Sequence, residues 1–177
     1  MTSSKSLTLP FDRAQLSTLC AGDACLLSGP LFTLRDAGHL RLLDELASSD
    51  ALPYGLAGHT LFYAGPTPAA AARPFGAIGP TTASRMDFAT PALHAAGIVA
   101  TIGKGQRGSA VIEACKSCGC VYFVAVGGAA AFLAKCIESS QTLAYDELGT
   151  EALRRIEVID FPVFVGVDTR GNDLYSL

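Results

Sequence analysis

The sequence predicts an α/β fold, and three observations carry the prediction. Strand-like and helix-like segments alternate through the middle of the chain, punctuated by glycine and proline. Half of the residues are hydrophobic and only 16% are charged, below the average usage of about 25%, so there is ample material for a buried core. Further β-prone stretches stand at both ends, adding strands outside the alternating region. A chain of 177 residues reads as one domain over 1–177.

Leu7–Pro10 and Ala24–Leu27 read as short strands, with a turn at Gly22-Asp23. In Asp36–Ser48, Leu40, Leu43 and Leu46 recur at three-residue steps with Leu42 beside them, the pattern of an amphipathic helix. Leu56–Ala64 is apolar and β-prone between Gly55 and Gly65-Pro66. Thr67–Arg73, rich in alanine with prolines nearby, reads as a loop with possible helical turns. Thr90-Pro91 looks like an N-cap followed by a first-turn proline, opening a helix that ends before Gly97. Ile98–Ile102 then reads as a buried strand, Ser109–Ser117 as a helix closed by Gly119, and Val121–Val126 as another buried strand. Gly128–Ile137 reads as a small-residue helix, and Ile156–Val158 and Val163–Val167 as two strands before a turn at Asp168–Asn172.

Bulk properties exclude several classes. A net charge of −3 gives no electrostatic case for nucleic acid. Met1–Pro10 is polar and lacks the apolar core of a secretory signal. The longest apolar run, Cys120–Ala134, is too short for a membrane span and is interrupted by Gly127-Gly128. The expectation is a soluble, cytoplasmic protein whose six cysteines are reduced. Its low charge also suggests apolar surface for a partner.

The densest chemistry lies in Gly79-Pro80-Thr81-Thr82-Ala83-Ser84-Arg85-Met86-Asp87. Gly-Pro sets a sharp entry, after which Thr81 or Thr82 can cap a helical turn. In that geometry Thr81 and Arg85 share one face at i and i+4, and the helix start favours an anion. The alternative is an ordinary capped helix with a surface arginine. Gly103-Lys104-Gly105-Gln106-Arg107-Gly108 matches the G-x-G-x-x-G dinucleotide fingerprint between a strand and a helix. The acidic residue expected about 20 positions on is missing, and Lys104 puts a long side chain in the turn. The glycines then serve as clearance for a Lys104 ammonium facing an anion, or Lys104 is a surface loop lysine. Arg35, after Gly29-Pro30 and at a helix start, is poorly matched to the positive helix end. It either meets an anionic ligand or pairs with Asp36 or another carboxylate.

Cys115, Cys118 and Cys120 form C-x2-C-x-C, which matches neither ferredoxin run, and small buried thiols are the commoner outcome. No metal site is expected here. His39, His59 and His94 form no metal-binding or catalytic pattern.

GPTTASRMD resembles the corresponding motif of the β component of class I fumarase and L(+)-tartrate dehydratase, the iron–sulfur hydro-lyases. SGPLFTLRDAGH (Ser28–His39), YAGP (Tyr63–Pro66), IGKG (Ile102–Gly105), VGGAAA (Val126–Ala131) and IEVIDFPVFVGVDTRGND (Ile156–Asp173) follow the family pattern in order, over nearly the whole chain. The resemblance implies a three-layer β/β/α swivelling domain acting as the β subunit of a two-component enzyme. That enzyme reversibly dehydrates a 2-hydroxy dicarboxylate, malate to fumarate or tartrate to oxaloacetate. It implies a [4Fe–4S] cluster carried by the partner α subunit, none bound by this chain alone, and a hetero-oligomer. It places substrate-binding cations at Arg35, Arg85 and Lys104 and the catalytic base at Thr81. The rival reading is a dinucleotide-binding domain using Gly103–Gly108; a non-catalytic anion-binding module is a third.

Overall fold

The computed structural model describes residues 4–49, 51–68, 74 and 76–176. Most of the Thr67–Arg73 segment lies outside the described residues. The first strand, β1 (Lys5–Thr8), ends before Leu9-Pro10. It is followed by α1 (Arg13–Ser17), a helix the sequence reading missed. Asp12 caps it, accepting from the Ala14 N–H at 3.0 Å, and Gln15 reaches back to the Asp12 N–H.

β2 (Ala24–Thr33) runs well beyond the expected Leu27 and carries Gly29-Pro30 inside the strand. Gly29 sits at φ 122 inside the strand, where a Cβ would come within 2.6 Å of the Leu9 carbonyl oxygen. α2 (Asp36–Ser48) covers its predicted range. β3 (Thr60–Phe62) is shorter than expected, because Pro53–Gly55 and the turn after it take up the preceding residues.

α3 (Thr90–Ala96), β4 (Ala100–Gly103), α4 (Ser109–Cys118) and β5 (Val121–Val124) follow, with Gly119 closing α4 in the left-handed conformation. Thr90 is not the cap of α3. Ala89 holds that place, and Thr90 is buried. The predicted helix over Gly128–Ile137 shrinks to α5 (Ala130–Leu133) and a 3₁₀ turn, because Ile137 already belongs to β6 (Ile137–Ala144). The two predicted C-terminal strands are one, β7 (Leu153–Val167).

Strands β1 to β5 are parallel in sequence order, and β7 runs antiparallel to both β5 and β2. That double pairing closes β2–β3–β4–β5–β7 into a ring. β1 extends the first half of β2, and β6 the first half of β7. Alternation along the strands serves two cores. Leu27, Leu31, Phe62, Ile102, Phe123, Ile156 and Phe161 pack together on one face. Leu61, Tyr63, Tyr122 and Val167 face the other way, against Leu42, Leu93, Val111 and Cys115 of α2 to α4. Asp160, at φ 49, resets the alternation so that Phe161, Val163 and Val165 join the same core as Ile156 and Val158. Among the described residues, no helix is long and apolar enough to cross a membrane.

Candidate functional site

Parallel strands β2 to β5 point one way, and the expected site residues gather beyond their carboxyl ends. Arg35 follows β2, Lys104 directly follows β4, and Gly127-Gly128 follow β5. Such an edge is the usual ligand position in α/β sheets. Arg35, Thr81, Arg85 and Lys104 line one cleft of about 320 Å³, with Gly79, Pro80, Thr82, Gly127 and Gly128.

Thr81 reaches the cleft by a different route from the one its sequence suggested. Pro80 bridges Ala64, the Thr81 N–H donates to the Tyr63 carbonyl at 2.7 Å, and the Lys104 N–H donates to the Thr81 carbonyl at 3.1 Å. The segment therefore wedges between the chain continuing β3 and the chain continuing β4. The 3₁₀ turn Ala83–Met86 starts only after Thr82, whose side chain makes no cap, so no helical face joins Thr81 to Arg85. Satisfying backbone groups on both sides outweighs the local turn preference. Thr81 is held at 7% exposure as a result.

Two of the three cations are tied to carboxylates. Arg85 presents its Nε to Asp36 Oδ1 at 3.0 Å and its Nη2 to Asp36 Oδ2 at 2.8 Å. Arg35 donates from Nε and Nη2 to Glu151 Oε1 at 3.3 and 3.2 Å, and its Nε lies 3.5 Å from Asp36 Oδ2. The other Glu151 oxygen accepts from the Ala37 N–H at 2.7 Å. The two carboxylates thus answer the positive end of α2 and explain a cation at that helix start. Gly65 leaves room for this arrangement, since a Cβ there would lie 3.2 Å from Arg35 Nε. Lys104, exposed, makes no side-chain hydrogen bond or ion pair among the described residues. Three cations against two carboxylates leave the cleft positive, which suits an anionic ligand.

Sequence reasoning missed the support behind Thr81. Arg107, read only as part of a glycine loop, has a fully buried side chain. Its guanidinium stacks over Tyr122 at 4.8 Å and Tyr63 at 5.3 Å, and donates to Asp87 at 2.7 Å and to Thr90 at 2.7 Å. The Tyr63 hydroxyl is hydrogen-bonded to Thr90 at 2.9 Å. Tyr63 in turn supplies the carbonyl that fixes Thr81. The pairing of Asp87 with Arg107 was not visible because 20 residues separate them.

This network also changes the meaning of G-x-G-x-x-G. The Gly108 N–H, at the start of α4, donates to Asp87 Oδ2 at 2.7 Å. A protein carboxylate thus stands where a dinucleotide pyrophosphate is bound in the fingerprint.

The cysteines do not offer a cluster site. Burial pushes the Cys115 and Cys120 thiols up to about 12, the Cys120 thiol lies 3.3 Å from the Ile98 carbonyl, and no group of three potential ligands converges among the described residues. The described residues do not fit an iron–sulfur cluster. His39 and His94 are buried in the core, His94 with Nδ1 2.7 Å from the Ile98 carbonyl oxygen, and burial lowers their pKa values to about 3 and about 4. Neither lines the cleft.

Comparison with known proteins identifies the family. A family model described as Fumarase C-terminus matches residues 3–177. The chain is 40% identical to "Fumarate hydratase 2" of Leishmania major over 174 residues, 96% of this chain and 31% of that protein. It is 39% identical to "Fumarate hydratase class I, aerobic" of Escherichia coli strain K12, over 92% of this chain and 30% of that protein. It is 33% identical to "Putative L(+)-tartrate dehydratase subunit beta" of Methanocaldococcus jannaschii, over 93% of this chain and 87% of that protein. The chain thus spans about a third of the fumarate hydratases and most of the tartrate dehydratase subunit. With a match from residue 3 to residue 177, the chain belongs to the Fumarase C-terminus family.

Proposed function

We propose that this chain is the β subunit of a two-component iron–sulfur hydro-lyase that reversibly dehydrates a 2-hydroxy dicarboxylate, malate to fumarate or tartrate to oxaloacetate. The observation that carries the proposal is the convergence of Arg35, Arg85, Lys104 and Thr81 on one positive cleft. The match to "Putative L(+)-tartrate dehydratase subunit beta" over 87% of that protein supports a separate subunit. Residues 1–177 act as one domain of the three-layer β/β/α swivelling type, a reading supported by two cores on opposite faces of the strands. The chain works in the cytoplasm, where its six unpaired cysteines stay reduced.

Arg35 and Arg85 hold the substrate carboxylates through guanidinium edges, and Lys104 adds a point charge in the same cleft. Thr81 stands as the base for the proton on the carbon adjacent to the one that bears the hydroxyl. A threonine hydroxyl is a weak base, so the nearby cations must stabilise its alkoxide and a partner group must take its proton. The cluster that assists departure of the hydroxyl belongs to the α subunit, since the described residues do not fit it.

The test is kinetics on the complex assembled anaerobically with the cluster-bearing α subunit. Thr81→Ala should keep substrate affinity and lose about 10²–10⁴-fold in kcat. Arg85→Lys keeps the charge but loses the fork, so KM should rise about ten- to a hundredfold. Normal turnover in Thr81→Ala would reduce Thr81 to a structural residue.

A further inference from the structure

We propose that Asp36 is a positioning residue: it grips one edge of the Arg85 guanidinium and thereby presents the other edge to a substrate carboxylate. The inference rests on the functional reading above and adds a residue to it. A guanidinium has two edges that can each bind a carboxylate with two parallel N–H groups. Asp36 Oδ1 accepts from Arg85 Nε at 3.0 Å, and Asp36 Oδ2 lies 2.8 Å from Nη2 as an ion pair, so this carboxylate occupies the Nε–Nη2 edge. Nη1, on the opposite edge, makes no hydrogen bond or ion pair among the described residues, and Arg85 lines the cleft. The half-exposed Arg85 side chain would otherwise sample several rotamers, so fixing it beforehand lowers the entropy lost on binding. Glu151 treats Arg35 in the same way, meeting its Nε and Nη2 with one oxygen.

The backbone gives the second argument. Asp36 has φ 26, a positive value that side chains with a Cβ adopt at a cost and glycine adopts freely. It is also the first residue of α2, where any acidic residue would suit the positive helix end. Neither local role calls for this carboxylate at a strained position. The contact with Arg85, together with the approach to Arg35 at 3.5 Å, does.

Two variants separate positioning from the alternatives. Asp36→Asn tolerates the backbone and removes the charge, while Asp36→Gly relieves the backbone and removes the side chain. Plain electrostatics predicts that deleting a negative charge beside three cations tightens anion binding. Positioning predicts the opposite. In the assembled complex with malate or tartrate, both variants should raise KM about tenfold or more, with kcat within about threefold of wild type. The melting temperature of Asp36→Gly should stay at or above that of wild type, and the Arg85 Nε–H signal in NMR should lose its protection from exchange in both. An unchanged or lower KM, or equal losses in kcat and KM with a lower melting temperature, would overturn the proposal. If wild type is active and the variants match it, this inference alone falls; a wild-type complex inert toward both substrates defeats it together with the functional reading.

Discussion

Replacing Arg107 by methionine removes a buried charge whose partners are all on view. Methionine fills much of the same space but leaves Asp87 with only the Gly108 N–H, and Thr101 loses its guanidinium donor at 3.3 Å. Breaking a buried ion pair costs about 3–5 kcal/mol, and the 23% exposure of Asp87 places this one at the lower end, near 3. Loss of the two ring contacts, at 4.8 and 5.3 Å, adds about 1 kcal/mol. A total of about 4 kcal/mol corresponds to a drop of roughly 8–16 °C in melting temperature for a chain of this size. Asp87→Asn should be similarly damaging, because it strands the cation instead. The double variant should recover part of the loss, giving a coupling energy above about 1 kcal/mol in the cycle. Urea unfolding and thermal melts of the three variants provide the numbers. If each single variant costs less than about 1 kcal/mol and the effects add, Arg107 is not the support behind Tyr63 and Thr81 argued above.

Two further outcomes are expected. In Gly103→Ala, the new Cβ would stand 2.9 Å from Ala83 Cβ, 3.0 Å from Tyr63 Cδ2 and 3.3 Å from the Thr81 carbonyl, so it should cost about 1–3 kcal/mol and shift Thr81, whereas Gly127→Ala, nearest Lys104 at 3.7 Å, should be tolerated; paired melts and turnover assays would show the contrast or its absence. Stability should also fall with acid. Above pH 6.5, His39 and His94 are neutral in both states. Below it, the unfolded chain binds protons that the folded chain refuses until about pH 4 for His94 and about pH 3 for His39. By pH 5 the loss is about 2 kcal/mol per histidine, so the urea midpoint should drop between pH 7 and pH 5, and His39→Leu should flatten that drop by about half.

What the sequence made legible was chiefly local. The leucine spacing of Asp36–Ser48 and the glycine after Cys118 located α2 and α4 to within a residue, because periodicity and a left-handed cap belong to neighbouring positions. Arg35, Thr81, Arg85 and Lys104 were named from motifs, and the structure gathers them in one cleft. Of the carboxylates that orient them, Asp36 was named only as a partner of Arg35, and Glu151 was not named. Glu151 lies 116 residues from Arg35, and Asp36 lies 49 from Arg85, so no spacing rule links either pair. α1 is a five-residue helix with one buried side chain, too short to show a period. β6 was not read as a strand, and its first residue, Ile137, was taken into the expected helix, because its pairing with Leu153–Val158 is not visible locally. The two strands expected at Ile156–Val158 and Val163–Val167 are continuous because Phe161 and Pro162 pair with Leu27 and Leu26, contacts far away in sequence.

The strand ring orders events in time as well as in space. β2 lies near the start of the chain and β7 near its end, yet they pair from Ala24–Phe164 to Thr33–Arg154, and β7 also joins β5. During synthesis β2 to β5 emerge first and can form only an open sheet. Both edges of that sheet then carry unpaired N–H and C=O groups, a template for joining another chain. Closure waits for β7 and for the loop entropy spent in bringing distant segments together, which makes it the slow, committed step of folding. Until it happens, the nascent chain is most exposed to aggregation. Once it does, the same two edges vanish together.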